Sequence, residues 1–283
     1  MLTDGAWGTQ LQARGLPIGE FPDAWNLSHP AEVQAVARAY VEAGSQVILT
    51  NTFGANRLRL AEAGLADQVA AINRRGVEIS KQAASGRAAV FASIGPTGKL
   101  LLTGEVTAEA LSAAFAEQAQ ALAAAGADGL VIETMSDLEE AQLAVVAARA
   151  TGLPVVACVV FDAGKDKDRT MMGCTPELAA ETLTRAGADV VGTNCGQGIE
   201  RFAALCRRLR SATDRPLWLK PNAGLPQLVN GRVHYAATPE QFAARVPELV
   251  AAGASFIGGC CGTTPAFIQA AARAVRQQPQ RPA

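Results

Sequence analysis

The sequence predicts an α/β fold: a single (β/α)8 TIM barrel with its functional site at the C-terminal ends of the strands. Three observations carry that expectation. Apolar, β-rich runs alternate with alanine-rich amphipathic stretches along the chain, which implies a parallel sheet covered by helices. A short phrase recurs ahead of every second run, at Ala43-Gly44-Ser45, Ala125-Gly126-Ala127, Ala186-Gly187-Ala188 and Ala252-Gly253-Ala254. Glycine at those points reads as a helix C-cap turning sharply into a buried strand. No Gly-x-Gly-x-x-Gly follows the early runs, which counts against an open dinucleotide-binding sheet.

Eight runs read as strands: Met1–Thr3, Gln46–Asn51, Ala88–Ile94, Gly129–Glu133, Pro154–Phe161, Asp189–Asn194, Leu217–Pro221 and Ala254–Gly259. The first is very short. Helices are expected over Ala31–Ala43, Ala108–Ala125, Leu138–Ala150, Pro176–Ala186 and Pro239–Ala252. Ser28-His29-Pro30, Thr175-Pro176-Glu177 and Thr238-Pro239-Glu240 each set a capping residue or proline where a helix starts. The charged loop Asp162–Arg169 reads as a solvated connection, with a mobile lid as the sharper alternative.

A length of 283 residues suits one barrel, expected over residues 1–276, with a frayed tail over 277–283. Apolar residues make up 49%, enough for a sizeable core, yet no run is long enough to cross a membrane. The opening Met1-Leu2-Thr3-Asp4-Gly5 lacks the basic start and apolar centre of a secretory signal. With 25 basic against 26 acidic residues, the net charge of −1 offers no footprint for nucleic acid or an anionic membrane. Six cysteines are too few for a disulfide scaffold in a chain this long, so a reduced, cytoplasmic enzyme is expected.

Chemistry collects at the expected strand ends. Cys260 and Cys261 sit side by side in Ile257-Gly258-Gly259-Cys260-Cys261-Gly262-Thr263-Thr264-Pro265, and Cys195 lies in Thr193-Asn194-Cys195-Gly196. Adjacent strand residues point to opposite faces, so two neighbouring thiols converge only if the backbone bends, and the flanking glycines permit that. Three thiolates would hold Zn2+ with its fourth tetrahedral position open, the arrangement of a catalytic rather than structural ion. Three inert packing cysteines are the opposing reading. Such an ion is a poor activator of water but would still ionise a bound substrate thiol. Asp4 and Glu133 add carboxylates suited to an ammonium group, although either could serve the fold alone. Cys158 and Cys206 read as packing residues; Cys174, near the loop after the fifth strand, could approach the site, with packing as the favoured reading.

Asp4-Gly5-Ala6-Trp7-Gly8-Thr9, Thr50-Asn51-Thr52-Phe53-Gly54, Glu133-Thr134-Met135-Ser136-Asp137, Asn194-Cys195, Pro221-Asn222-Ala223-Gly224 and Gly258-Gly259-Cys260-Cys261-Gly262-Thr263 resemble the homocysteine S-methyltransferase family. That family includes the homocysteine-binding barrel of cobalamin-dependent methionine synthase, and betaine- and S-methylmethionine-using enzymes. The resemblance implies that Cys195, Cys260 and Cys261 bind zinc and that homocysteine sulfur takes the open position. It implies that Asp4 and Glu133 contact the homocysteine amino group, that Asn194 orients the site, and that Gly5 and Thr52 join the substrate-binding set. Methionine would form by direct displacement, with no general base on the methyl carbon.

The methyl donor implied is S-methylmethionine, S-adenosylmethionine or a methyl-corrinoid protein. Thr170–Thr175 and Gln197-Gly198 depart from the family pattern where a donor would approach. Trp7, Phe53 and Tyr235 are expected on the donor side, by cation–π contact with a cationic carrier or as ordinary packing. Two alternatives stand beside this reading: a subunit that takes its methyl group from a separate corrinoid protein, for homocysteine or another thiol, and a non-catalytic zinc- or partner-binding barrel.

Overall fold

The computed structural model of the chain describes residues 1–229 and 232–276. Its strands are β1 (Val47–Leu49), β2 (Ala89–Ile94), β3 (Gly129–Met135), β4 (Val155–Val159), β5 (Val190–Gly198), β6 (Leu217–Asn222), β7 (Pro226–Val229), β8 (Arg232–Tyr235) and β9 (Ala254–Ile257). Seven of them form one parallel sheet in the order β1-β2-β3-β4-β5-β6-β9, while β7 and β8 pair as a separate antiparallel hairpin. The helices are α1 (Gly8–Gln12), α2 (Trp25–Ser28), α3 (Pro30–Ala43), α4 (Arg57–Ala61), α5 (Val69–Ala84), α6 (Ala108–Ala124), α7 (Leu138–Arg149), α8 (Pro176–Ala186), α9 (Phe202–Arg210), α10 (Pro239–Ala251) and α11 (Pro265–Arg276).

The expected first strand is the point of difference. Residues 2 and 3 make two isolated parallel bridges, Leu2 with Ile257 and Thr3 with Val47. The Thr3 amide donates to the Ile257 carbonyl at 2.8 Å, and the Val47 amide to the Leu2 carbonyl at 3.2 Å. This segment therefore touches β9 and β1, the two edges of the curled sheet. The ladder toward β1 continues through a side chain: Asp4 Oδ2 accepts the Leu49 amide at 2.7 Å. Seven strands and a bridging segment stand where eight strands were expected. The tail at 277–283 lies outside the described residues.

Helix boundaries follow local chemistry. Gly44, Gly126, Gly187 and Gly253 all have positive φ, between 88° and 104°, as the recurring phrase requires. Thr175 and Thr238 cap α8 and α10 with their side chains, and Thr238 forms a full capping box with Gln241. At α3 the N-cap residue is His29, which makes no side-chain cap; the Ser28 hydroxyl bonds back to the Ala24 carbonyl instead. The charged 162–169 loop is pinned. Asp162 and Ala163 pair with Arg169, Arg201 donates to the Asp166 carbonyl at 2.9 Å, and the Arg208 guanidinium joins Asp168 to Glu177.

The main core lies between the sheet and its helices. A second, smaller cluster fills the inner face, with Val47, Leu49, Val131, Val156, Cys158 and Trp218 packed together. Trp218 stacks near-parallel to Phe91 (6.2 Å, 11°) and leans on Phe256 at 5.1 Å. These rings plug one end of the sheet's interior. The space left at the other end, where the strands terminate, is the functional cavity.

Candidate metal and substrate site

Cys195 follows Asn194 in β5, where the pairing with β6 slips between Asn194 and Gly198. Its φ is +63°, a conformation non-glycine residues seldom hold, and it turns the thiol toward β9. Cys260 and Cys261 lie just beyond β9 in a turn whose backbone is held from several sides. The Gly259 amide donates to the Asp4 carbonyl (2.9 Å), the Cys260 amide to Pro221 (2.8 Å), and the Ala223 amide to Cys261 (3.0 Å). Gly258 is required for this closeness: a Cβ there would sit 1.9 Å from the Thr3 hydroxyl. Gly262, at φ +80°, lies beneath the Tyr235 ring.

The three sulfurs lie within 4.8 Å of one another, and Cys195 Sγ is 3.9 Å from Cys261 Sγ. Ligand sulfurs 2.3 Å from a tetrahedral zinc would stand about 3.8 Å apart, so the spacing fits the ion. All three are free thiols. Hydrogen bonds from Cys260 and Cys261 push the Cys195 thiol far down, against the opposing pull of burial. Its bonds to Cys195 and Cys261 hold the Cys260 thiol well above its ordinary range, and Cys261 is raised chiefly through its bond to Cys195. Cys174 is not in this group; its thiol donates to the Thr175 carbonyl, while Cys158 and Cys206 are buried packing residues.

Glu133 sits where the pairing of β3 with β4 slips between Ile132 and Met135, and it lines the cavity. Its Oε1 accepts from Ser93 Oγ at 2.5 Å and its Oε2 from Asn194 Nδ2 at 3.3 Å. Burial raises its carboxyl, and the nearby Lys220 cation is the main force against that rise. Asp4 is fully buried behind the wall: Oδ1 accepts from Lys220 Nζ at 2.5 Å, and Oδ2 from Trp7 Nε1 at 2.8 Å and the Leu49 amide at 2.7 Å. Asn194 reaches Thr134 as well as Glu133, and sits 3.8 Å from Cys260 Sγ.

The cavity measures about 470 Å3. Gly5, Glu133, Lys220 and the three cysteines line its deep end, and Trp7, Phe21, Phe53 and Tyr235 form aromatic walls. Of the five expected substrate-binding residues, Gly5 and Glu133 face this space. Asp4, Thr52 and Asn194 stand behind it, and the Thr52 hydroxyl is taken up by Thr50 (2.5 Å) and the Ser93 carbonyl (2.8 Å).

Lys220 and Asp23 are two of the wall residues that the sequence reading did not single out. Lys220 had one visible signal, a lone cation inside the apolar run Leu217–Pro221. Asp23 had none, because it reaches the cavity from a 3-10 turn at Pro22–Ala24 far along the chain from the cysteines. Its carboxyl accepts the Gly54 amide at 2.9 Å and is raised to about 6, mainly by burial.

Comparison with known proteins places this architecture. The homocysteine S-methyltransferase family profile matches residues 1–275. Methionine synthase of Mycobacterium tuberculosis is 31% identical over 99% of this chain, and that of Mycobacterium leprae 31% over 97%. The chain spans about a quarter of the length of these relatives, 25% and 24%. The crystal structure of the Escherichia coli homocysteine methyltransferase MmuM in its metallated form is similar along its length: TM-score 0.80, 27% identity, covering 95% of this chain and 94% of that one. With a match from end to end of the cavity-bearing fold, the chain belongs to the homocysteine S-methyltransferase family.

Proposed function

We propose that the chain transfers a methyl group to the thiol of homocysteine, giving methionine, at a Zn2+ held by Cys195, Cys260 and Cys261. The observation that carries this reading is the convergence of three free sulfurs within 4.8 Å at the floor of an apolar-walled cavity. An all-sulfur set of three suits zinc and leaves one tetrahedral position for a fourth ligand. When bound, the ion would supply the charge that keeps the acceptor thiol ionised at neutral pH.

The chain's own residues do the rest. Glu133 takes the acceptor's ammonium group, with Ser93 and Asn194 fixing its two oxygens. Trp7, Phe53 and Tyr235 wall the space above the sulfurs, exclude water, and present π-faces to a cationic methyl carrier. The acceptor sulfur forms its bond to the methyl carbon as the bond to the leaving group breaks, and the thiol proton has already left to solvent. A sulfonium donor such as S-methylmethionine or S-adenosylmethionine suits these walls better than a corrinoid protein, because its positive sulfur can lie against the aromatic faces. The similarity to the Escherichia coli homocysteine methyltransferase MmuM supports the acceptor assignment.

We read the fold as a (β/α)8 barrel, one domain over residues 1–276, in which Leu2 and Thr3 stand for the eighth strand. The edge-to-edge bridges support that reading. Among the described residues no helix is long and apolar enough to cross a membrane. Six free thiols are in keeping with a reducing cytoplasm.

The test is metal content and ligand exchange. Protein purified under reducing conditions should carry about one zinc per chain, and Cys261→Ser should lose it. X-ray absorption should show one light-atom ligand replaced by sulfur when homocysteine is added, and turnover should follow on adding S-methylmethionine. Wild-type protein without zinc, or zinc whose shell ignores homocysteine, overturns the assignment.

A further inference from the structure

Lys220 is the least expected group in the cavity. It lies on β6, its Cα paired with that of Asn194 on β5, and is 2% exposed. Burial works against its charge, but Asp4 and Glu133 together outweigh that and hold its ammonium above the ordinary lysine range. A buried cation persists only where anions compensate it.

The two anions are not used equally. Asp4 receives three donors, one of them charged, and none of its oxygens faces the cavity. A carboxylate accepts about four hydrogen bonds at most, so Asp4 is close to saturated. Glu133 receives only two neutral donors and does line the cavity. Only Asp4 pairs directly with Lys220, so the deficit of positive charge falls on Glu133.

We propose that Lys220 is a positioning residue that withdraws Asp4 from substrate binding and leaves Glu133 as the single carboxylate presented to the acceptor's ammonium group. This rests on the amino-acid thiol acceptor argued above. It departs from the expectation that Asp4 and Glu133 share the ammonium. The acceptor's own charge completes the neutralisation that Lys220 begins, so the site selects a thiol bearing one cationic group at the depth of Glu133.

The experiment compares dissociation constants for homocysteine and for its deaminated analogue 4-mercaptobutyrate, using zinc-loaded wild type, Glu133→Gln, Lys220→Met and Asp4→Asn/Lys220→Met. Wild type should prefer homocysteine, and Glu133→Gln should lose that preference at least tenfold. Lys220→Met uncovers the Asp4 charge and should raise the preference at least threefold, a change a merely structural lysine would not produce. The double variant removes both partners and should return the ratio to within threefold of wild type. A ratio that ignores Lys220→Met, or a double variant that collapses as Glu133→Gln does, overturns the proposal.

Urea midpoints of the metal-free proteins supply a readout independent of the acceptor. Lys220→Met alone should unfold at distinctly lower urea than the double variant, because it leaves an uncompensated buried anion. Additive midpoints would refute the Lys220–Asp4 coupling. If wild type binds neither thiol while the coupling holds, the acceptor assignment fails, and with it the claim on Glu133, but the pairing of Lys220 with Asp4 stands.

Discussion

Asn194 grips Thr134 at both ends of its side-chain amide. Oδ1 accepts the Thr134 backbone amide at 2.8 Å, and Nδ2 donates to the Thr134 hydroxyl at 2.7 Å. Thr134 has φ +62°, a costly conformation for a β-branched residue, and Cys195 beside Asn194 has φ +63°. One side chain thus stabilises the strained turn after Glu133 and neighbours the strained metal-ligand candidate. Asn194→Ala should lower stability by about 2 kcal/mol, from lost hydrogen bonds to partly buried partners. It should also raise the homocysteine KM about tenfold, through the freed Glu133 carboxylate, since each 1.4 kcal/mol is a factor of ten. Steady-state kinetics beside urea unfolding would separate the two effects, and an unchanged KM would detach Asn194 from Glu133.

Metal removal should cost binding rather than fold. The Cys260–Cys261 turn is held by backbone bonds to Asp4, Pro221 and Ala223 that owe nothing to an ion. The thiol cluster is therefore preformed, unlike the ligands of small domains that fold only around zinc. Chelation should abolish homocysteine binding, read by calorimetry, while the far-ultraviolet circular dichroism stays unchanged. The melting temperature should fall only as loss of a bound ligand requires. Collapse of secondary structure on chelation would show that the cysteines depend on the metal for their placement.

Much of this arrangement was legible in the sequence, and the exceptions have physical causes. Gly44, Gly126, Gly187 and Gly253 were readable because only glycine takes the left-handed cap without strain, so the residue type reports the backbone. Cys195, Cys260 and Cys261 were readable because strand–helix alternation sends every strand end to one rim. The β7–β8 hairpin was hidden: its short pairing depends on the partner strand, not on a long apolar run. The use of Asp4 was hidden for a similar reason. A carboxylate at a strand end looks the same whether it faces a ligand or a lysine 216 residues away. Lys220 shows the converse, a charge within an apolar strand that signals a buried partner without naming it.

Asp23 should make stability depend on pH. Burial raises its carboxyl from an unfolded value of 3.8 to about 6 in the folded chain. A group raised on folding favours the native state while protonated, so that contribution is fully present below pH 4 and lost as pH rises through 6. At pH 7–8 the ionised carboxylate should therefore cost up to about 3 kcal/mol relative to a neutral amide. Asp23→Asn keeps an oxygen to accept the Gly54 amide and should stabilise the protein at pH 7.5 but not at pH 4. Urea midpoints across that range would test it. A gain that is independent of pH would assign the effect to packing.

The tightest backbone approach in the sheet offers the sharpest test of how the cavity floor is held. Gly192 lies in β5 three residues before Cys195, beside Trp218 on β6. A Cβ at Gly192 would fall 1.9 Å from the Trp218 carbonyl oxygen, and a backbone atom in a paired strand cannot turn away as a side chain can. The two strands would have to part, and the separation would carry Asn194 and Cys195 away from Glu133 and Cys261. Gly192→Ala should therefore destabilise by at least about 3 kcal/mol, the upper range for overpacked cores, and any folded fraction should bind zinc poorly. Gly8→Ala, where nothing lies within 4 Å of the added Cβ, is the matched control and should unfold with the wild type. Metal content measured on the soluble fraction of both variants distinguishes the outcomes. Full zinc occupancy in Gly192→Ala would mean that the β5–β6 spacing does not set the position of Cys195.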